Sequence, residues 1–152
     1  MAEHIKIICQ NRKAHHDYYI HETIEAGLVL TGSEVKSLRL GRANLKDSYA
    51  KPKGGEIFLY EFHISPYENS PLNEQDPTRT RKLLLHKQEI RRMIGKIQEK
   101  GLTVVPLKLY FLEGKAKVEL ALAKGKKLYD KREAIKKKDL KREADRLERE
   151  KK

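Results

Sequence analysis

Cysteine is nearly missing from this chain: of 152 residues, Cys9 alone carries a thiol. One thiol closes no intrachain disulfide, and without a cysteine pair there is no seed for a zinc knuckle or a redox motif, so a reducing cytoplasm is the expected compartment. Long apolar runs are missing as well. The opening "MAEHIKIICQNRKAHH" lacks the apolar core of a secretory signal, and no stretch approaches the roughly 18 apolar residues of a membrane span. The expectation is a soluble protein with no targeting segment and no membrane partner. Catalytic signatures are lacking too: there is no phosphate loop, no G-x-G-x-x-G and no G-x-S-x-G. His15, His16 and His21 do not have the H-E-x-x-H spacing that puts two metal ligands on one helix face. No enzyme, no metal and no cofactor are therefore expected.

Negative charge is in short supply. The chain holds 34 Lys and Arg against 22 Asp and Glu, a formal net charge of +12, so polyanions, nucleic acid first, are the expected partners. The excess is uneven: residues 124–152 carry 14 basic and 7 acidic side chains, net +7, while residues 1–123 contribute only +5. This length accommodates one core. The organisation expected is one folded domain over 1–123 and a basic tail over 124–152. The tail has too few large aliphatic residues for an apolar stripe but several favourable i, i+4 ion pairs, such as Glu133 with Lys137, so it is expected to be disordered when free and helical when held.

Periodicity organises the first 123 residues. "DYYIHETIEAGLVLTG" is rich in β-branched and aromatic residues and predicts a long strand bent at Gly27. "SEVKSLRLG" predicts a short helix capped by Ser33 and stopped at Gly41. "DSYAKPKGGEIFLYEFHISPY" predicts two strands about the turn "PKGG", with Ile57, Leu59 and Glu61 alternating against Phe58, Tyr60 and Phe62. Residues 65–82 carry three of the five prolines and predict a long loop. Ile90, Met93, Ile94 and Ile97 recur at helical spacing before Gly101, and Val118, Leu120 and Leu122 alternate in a closing hairpin turned at "EGK". Strands with a helix inserted before a closing hairpin predict a mainly β fold, an OB-type small barrel with inserted helices. Such barrels commonly bind single-stranded or irregular nucleic acid through a basic groove with stacking aromatics.

Five stretches go further. "GSEVKSLRLGRANLKDSYA" from Gly32, "NRKAHHDYYI" from Asn11, "EAGLVL" from Glu25, "DPTRTRKLLLH" from Asp76 and "AKGKKLYDKR" from Ala123 stand in register across nearly the whole chain. Together they strongly resemble the small protein B family, the SsrA-binding proteins that partner transfer-messenger RNA in bacterial ribosome rescue. The resemblance implies an OB-fold adaptor, acting as a monomer and without catalysis, that holds the tRNA-like domain of transfer-messenger RNA and brings it to a stalled ribosome. It also implies a tail that contacts ribosomal RNA in the empty decoding site. Asn11, Glu25 and Leu84 match positions at which the family contacts the RNA, and His16 matches a neighbouring basic or stacking position. Asp130, Lys131 and Arg132 match the family's "DKR" within a ribosome-binding run of Lys124, Gly125, Lys126, Lys127 and Tyr129. Tyr129 stands where some members have histidine, which keeps a stacking ring and removes a titratable group.

Each site residue also has a plainer reading. Glu25 on its own is a solvated acid on a strand; as a contact, its carboxylate accepts hydrogen bonds from base edges, which Lys and Arg cannot do. Asn11 suits a base edge and equally a turn. Leu84 is by default one of three core leucines, Leu83 to Leu85. Arg79, Arg81 and Lys82 are expected to bind phosphate without reading sequence. Two rivals stay open, an OB protein that binds ribosomal RNA alone and a small RNA-modifying enzyme.

Overall fold

The closing hairpin is the spine of the computed structural model, which describes residues 5–67, 76–126 and 142. Strands β8 (Thr103–Leu112) and β9 (Lys115–Gly125) turn at Glu113 and Gly114, whose φ angles of 49° and 79° lie in the left-handed region. Strand β2 (Tyr18–Leu28) pairs antiparallel with β9 from Tyr18 opposite Gly125 to Gly27 opposite Lys117. The long strand is therefore present, but its irregularity is a bulge at His21, not a bend at Gly27, which stays in register. From β2 the hydrogen bonding passes to β7 (Arg81–Leu84), then to β5 (Glu56–Tyr60) and β4 (Tyr49–Lys53), and returns to β8 where Ala50 faces Val104. Six strands thus close on themselves. A further strand, β1 (Ile5–Gln10), takes the other half of the β8 edge, with Ile7 opposite Tyr110 and Gln10 opposite Lys108. Short β3 (Ala43–Asn44) and β6 (His63–Ile64) pair outside the barrel.

Closure removes sheet edges and encloses one apolar interior. Ile57, Leu59, Leu83, Val104, Leu109, Val118 and Leu120 are all 0 % exposed within it. Burying each such side chain contributes about 1.5–3 kcal/mol, so truncating one, Leu59 for example, costs about 2–5 kcal/mol once the cavity is counted. Helix α3 (Lys87–Lys100) caps this core with Ile90 and Met93, backed by Ile94 and Ile97, and ends where Gly101 takes φ 64°. A smaller apolar patch lies outside the barrel: Ala14 of helix α1 (Arg12–Asp17) packs on Val105, Leu107, Ala121 and Ala123.

Three local expectations change. Helix α2 (Gly32–Arg39) is capped by Thr31, not Ser33: the Thr31 hydroxyl accepts from Glu34 N–H at 3.3 Å and the Glu34 carboxylate accepts from Thr31 N–H at 3.0 Å. That reciprocal box needs an acid three residues along, and only Thr31 has one. Phe62 does not share a face with Phe58 and Tyr60, because Glu61 at φ 57° breaks the alternation and turns Phe62 into the core. The 65–82 loop ends early, since Arg81 and Lys82 already belong to β7.

Arg81 is the larger surprise. Expected on phosphate, it is 0 % exposed: its guanidinium donates to Glu34 at 2.7 Å, to the carbonyl of Phe62, and to the carbonyl of Pro77 at 3.0 Å. Arg79 bonds the same carboxylate and is 30 % exposed. Burial pushes the Glu34 carboxyl up, but hydrogen bonds from Arg79, Thr31 N–H and Arg81, together with the Arg81 charge, outweigh it and hold the group below its ordinary value. The cluster ties α2 to β7 and to residues 76–80.

Candidate nucleic-acid interface

Antiparallel register decides which side chains meet on the outside of the barrel. Val118 and Leu109 face inward, so their neighbours Lys117, Glu119, Lys108 and Tyr110 face outward. One outer row runs across five strands as Leu84, Gly27, Lys117, Tyr110 and Ile7. The next row runs Glu25, Glu119, Lys108 and Gln10, which hands on to Asn11. Residues expected from separate motifs therefore share one face.

Leu84 is the apolar feature of that face. It is 52 % exposed while Leu83 is 0 % exposed, so the middle leucine of the triplet points to solvent and its predecessor fills the core. Gly27 sets the relief beneath it: a Cβ there would stand 3.2 Å from the Leu84 Cβ, so a larger residue would push the leucine away by a few tenths of an ångström. Glu25, Gly27, Leu84, His86, Glu89 and Lys117 line an open depression of about 510 Å³. The exposed Glu25 carboxylate accepts a hydrogen bond from the Tyr110 hydroxyl, which fixes one oxygen and leaves the other to accept from a ligand. Lys108 stands 3.6 Å from Glu119 and 5.7 Å above the Tyr110 ring. The depression thus offers an acceptor, a cation and an apolar surface side by side.

At the far end Asn11 opens α1. Its backbone N–H donates to Leu107 O at 2.7 Å and its side-chain amide to Pro106 O at 3.1 Å. The amide is thereby anchored to β8 and not to its own turn, since the Asn11 side chain makes no capping hydrogen bond to α1, and Oδ1 takes no hydrogen bond among the described residues. His16 is 62 % exposed with Nδ1 3.1 Å from the Asp17 carboxylate. Lys82 is on β7 two residues before Leu84, paired loosely with Glu56 at 3.8 Å. Arg79 and Arg81 are not on this face; the Glu34 cluster holds both. Lys117, Lys108 and Tyr110 belong to the face and escaped sequence reading, because nothing in "KLYFLEGKAKVELALAKG" says which strands lie opposite.

Of the residues expected in the tail, Lys124 and Gly125 still belong to β9, with Gly125 opposite Tyr18. Lys126 N–H donates to Asp17 O at 2.8 Å, and its ammonium sits 5.0 Å above the Tyr19 ring. Lys127, Tyr129, Asp130, Lys131 and Arg132 lie outside the described residues, as does the expectation of a tail that folds on binding. No helix among the described residues is long and apolar enough to cross a membrane.

A closed OB-type barrel whose outer face carries an exposed leucine between an acceptor and lysines falls in the class of small nucleic-acid-binding β-barrels. The comparison with known families is specific: the model of the SmpB protein family matches residues 8–150, and the chain belongs to that family. It is 64% identical to the "SsrA-binding protein" of Syntrophobacter fumaroxidans, covering 96% of this chain and 91% of the relative. It is 60% identical to the "SsrA-binding protein" of Acetivibrio thermocellus, covering 95% and 94%. A solved structure described as "tmRNA-SmpB: a journey to the center of the bacterial ribosome" is 53% identical, with a TM-score of 0.68 over 84% of this chain and 93% of the other.

Proposed function

We propose that this chain is a cytoplasmic, non-enzymatic adaptor that binds the tRNA-like domain of transfer-messenger RNA and delivers it to stalled ribosomes for peptide tagging. The face from Leu84 to Asn11 holds the RNA: Leu84 packs on an exposed base or ribose, Glu25 and Asn11 meet base edges, and Lys117, Lys108 and Lys82 meet phosphates. His16 stands at the border of that contact. The tail, from Lys126 through Lys127, Tyr129, Asp130, Lys131 and Arg132, occupies the decoding site, with Tyr129 stacking on a ribosomal base. The observation that carries the reading is the exposed Leu84 laid over Gly27 beside the Tyr110-held Glu25. The curated relatives' shared name, SsrA-binding protein, supports the choice of RNA.

Two experiments test it. Sequencing the RNA retrieved with the protein from bacterial lysate returns one dominant tRNA-like species; a mixture of ribosomal fragments refutes the proposal. Stopping the chain after Lys126, which leaves β9 intact, keeps most affinity for the RNA and abolishes tagging on stalled ribosomes. Tagging restored by a scrambled tail of equal charge would show that only the charge of the tail matters.

A further inference from the structure

The barrel keeps hold of its chain past the end of β9. Lys124 stands opposite Tyr19 and Gly125 opposite Tyr18, and one residue further on Lys126 N–H donates to the carbonyl of Asp17 at 2.8 Å. Asp17 is the last residue of α1, so this bond satisfies one of the carbonyls that a helix end leaves without an internal partner. The Lys126 side chain is held as well, its ammonium 5.0 Å from the centre of the Tyr19 ring. Lys126 is half-buried although it follows two exposed residues, Lys124 and Gly125. Tyr19 itself is 47 % exposed and belongs to neither apolar cluster, so core packing does not account for a ring at this place. Lys124 shares the parity of the core residues Leu120 and Leu122, so its partner Tyr19 projects at the end of the barrel and not on the outer face of Glu25 and Lys117.

Helix α1 ties this latch to the other end of the RNA face. At its start Asn11 is bonded to Leu107 O and Pro106 O on β8, along its length Ala14 packs on Val105, Leu107, Ala121 and Ala123, and at its end Asp17 takes the Lys126 N–H. Six helical residues span about 9 Å, so one short, anchored strut separates Asn11 from the root of the tail. We infer that Tyr19 is a positioning residue: by holding the Lys126 ammonium while Asp17 holds the Lys126 amide, it fixes the direction in which the tail leaves the barrel relative to the RNA held at Asn11. The inference rests on the proposed function for what the tail and that face do. A root already ordered before the ribosome is met does not have to be ordered on binding, and it aims the residues that follow at a site standing at a set angle from the RNA.

The test replaces Tyr19 by Thr, which removes the ring and keeps a β-branched strand residue, and by Phe, which keeps the ring face. Amide hydrogen exchange, read by NMR on the full chain, follows the latch directly. The Lys126 N–H is protected in wild type and in Tyr19→Phe, and it exchanges about two- to fivefold faster in Tyr19→Thr, the effect expected of one exposed cation–π contact. Tagging on stalled ribosomes falls by a similar factor in Tyr19→Thr and not in Tyr19→Phe. Affinity for the tRNA-like RNA and the melting temperature stay unchanged in both variants, a combination that a merely structural role would not produce. Tyr19→Leu, which keeps apolar bulk without an aromatic face, replaces Tyr19→Thr should that variant not fold, and is expected to behave as it does. A Lys126 amide that exchanges at the free-chain rate in wild type, tagging by the ring-less variant equal to wild type, or a loss of its RNA affinity overturns the inference. Wild-type protein that neither binds the tRNA-like RNA nor tags refutes the proposed function instead, and the exchange of Lys126 still reports on the latch.

Discussion

Replacing Glu34 by Gln removes the carboxylate paired with a guanidinium that has no exposed surface. The fully buried Arg81 keeps its bonds to the carbonyls of Phe62 and Pro77, and the new amide still accepts one hydrogen bond, but the charge loses its paired carboxylate. Removing one partner of a buried pair costs about 3–5 kcal/mol, and the surviving bonds place this variant at the lower end, about 3 kcal/mol. For a domain of this size that is a fall in melting temperature of about 6–12 °C. Urea denaturation followed by circular dichroism reads it as a lower midpoint at unchanged slope. Arg79→Ala loses a partner that is 30 % exposed and should cost about 1 kcal/mol or less. The double variant Glu34→Leu/Arg81→Met, with no buried charge left, should recover most of the loss. The pH dependence has a definite sign. A folded carboxyl held below its unfolded value adds stability above about pH 4.3, and that stability is lost as pH falls through the lower folded value. The acid limb should therefore be shallower in Glu34→Gln than in wild type. A loss under about 1 kcal/mol in Glu34→Gln, or Glu34 and Arg81 substitutions whose effects simply add, would refute the account of the cluster.

Three other outcomes are expected. Gly27→Ala shifts Leu84 outward by a few tenths of an ångström, which an exposed side chain tolerates for about 1 kcal/mol or less, while affinity for the tRNA-like RNA falls in a gel-shift titration. Glu25→Ala weakens that binding by about 1–3 kcal/mol with folding intact, and Tyr110→Phe, which releases the carboxylate without removing it, weakens it by less, as calorimetry would measure. Burial pushes the Cys9 thiol up to about 11, so at pH 8 about one molecule in a thousand is thiolate, and a disulfide reagent should react on the order of 100-fold faster after unfolding than before.

What the sequence disclosed followed the range of its signals. The α3 helix, the closing hairpin and the turn before β5 are local patterns of three to seven residues, and each appears where the pattern set it. The failures involve partners distant in the chain. Strand β1 exists because Cys9 and Ile7 find β8 a hundred residues away, which no local alternation in "IKIICQ" announces. Arg81 reads as a surface cation until Glu34, 47 residues earlier, is brought beneath it. Leu84 was singled out by resemblance, whereas composition alone favoured the core; its exposure follows from the parity of β7 once Leu83 is inside. Lys117 and Tyr110 became visible only with the register of β9.

Strand β2 begins beside the tail's point of departure, where Tyr18 faces Gly125, and ends under Leu84 at Gly27. At about 3.3 Å per residue these points are about 30 Å apart. The strand is thus a ruler, setting the distance from the end proposed to hold RNA to the root of the tail. Its graduations are coarse: one residue added between the two points would turn Glu25 into the core and Ala26 out to solvent, unless the extra residue were absorbed in a bulge. The bulge at His21 is such an adjustment. The reach of the adaptor can therefore change only in steps of two residues or through another bulge, which makes the length of β2 as much a determinant of fit between two RNA surfaces as any side chain that touches them.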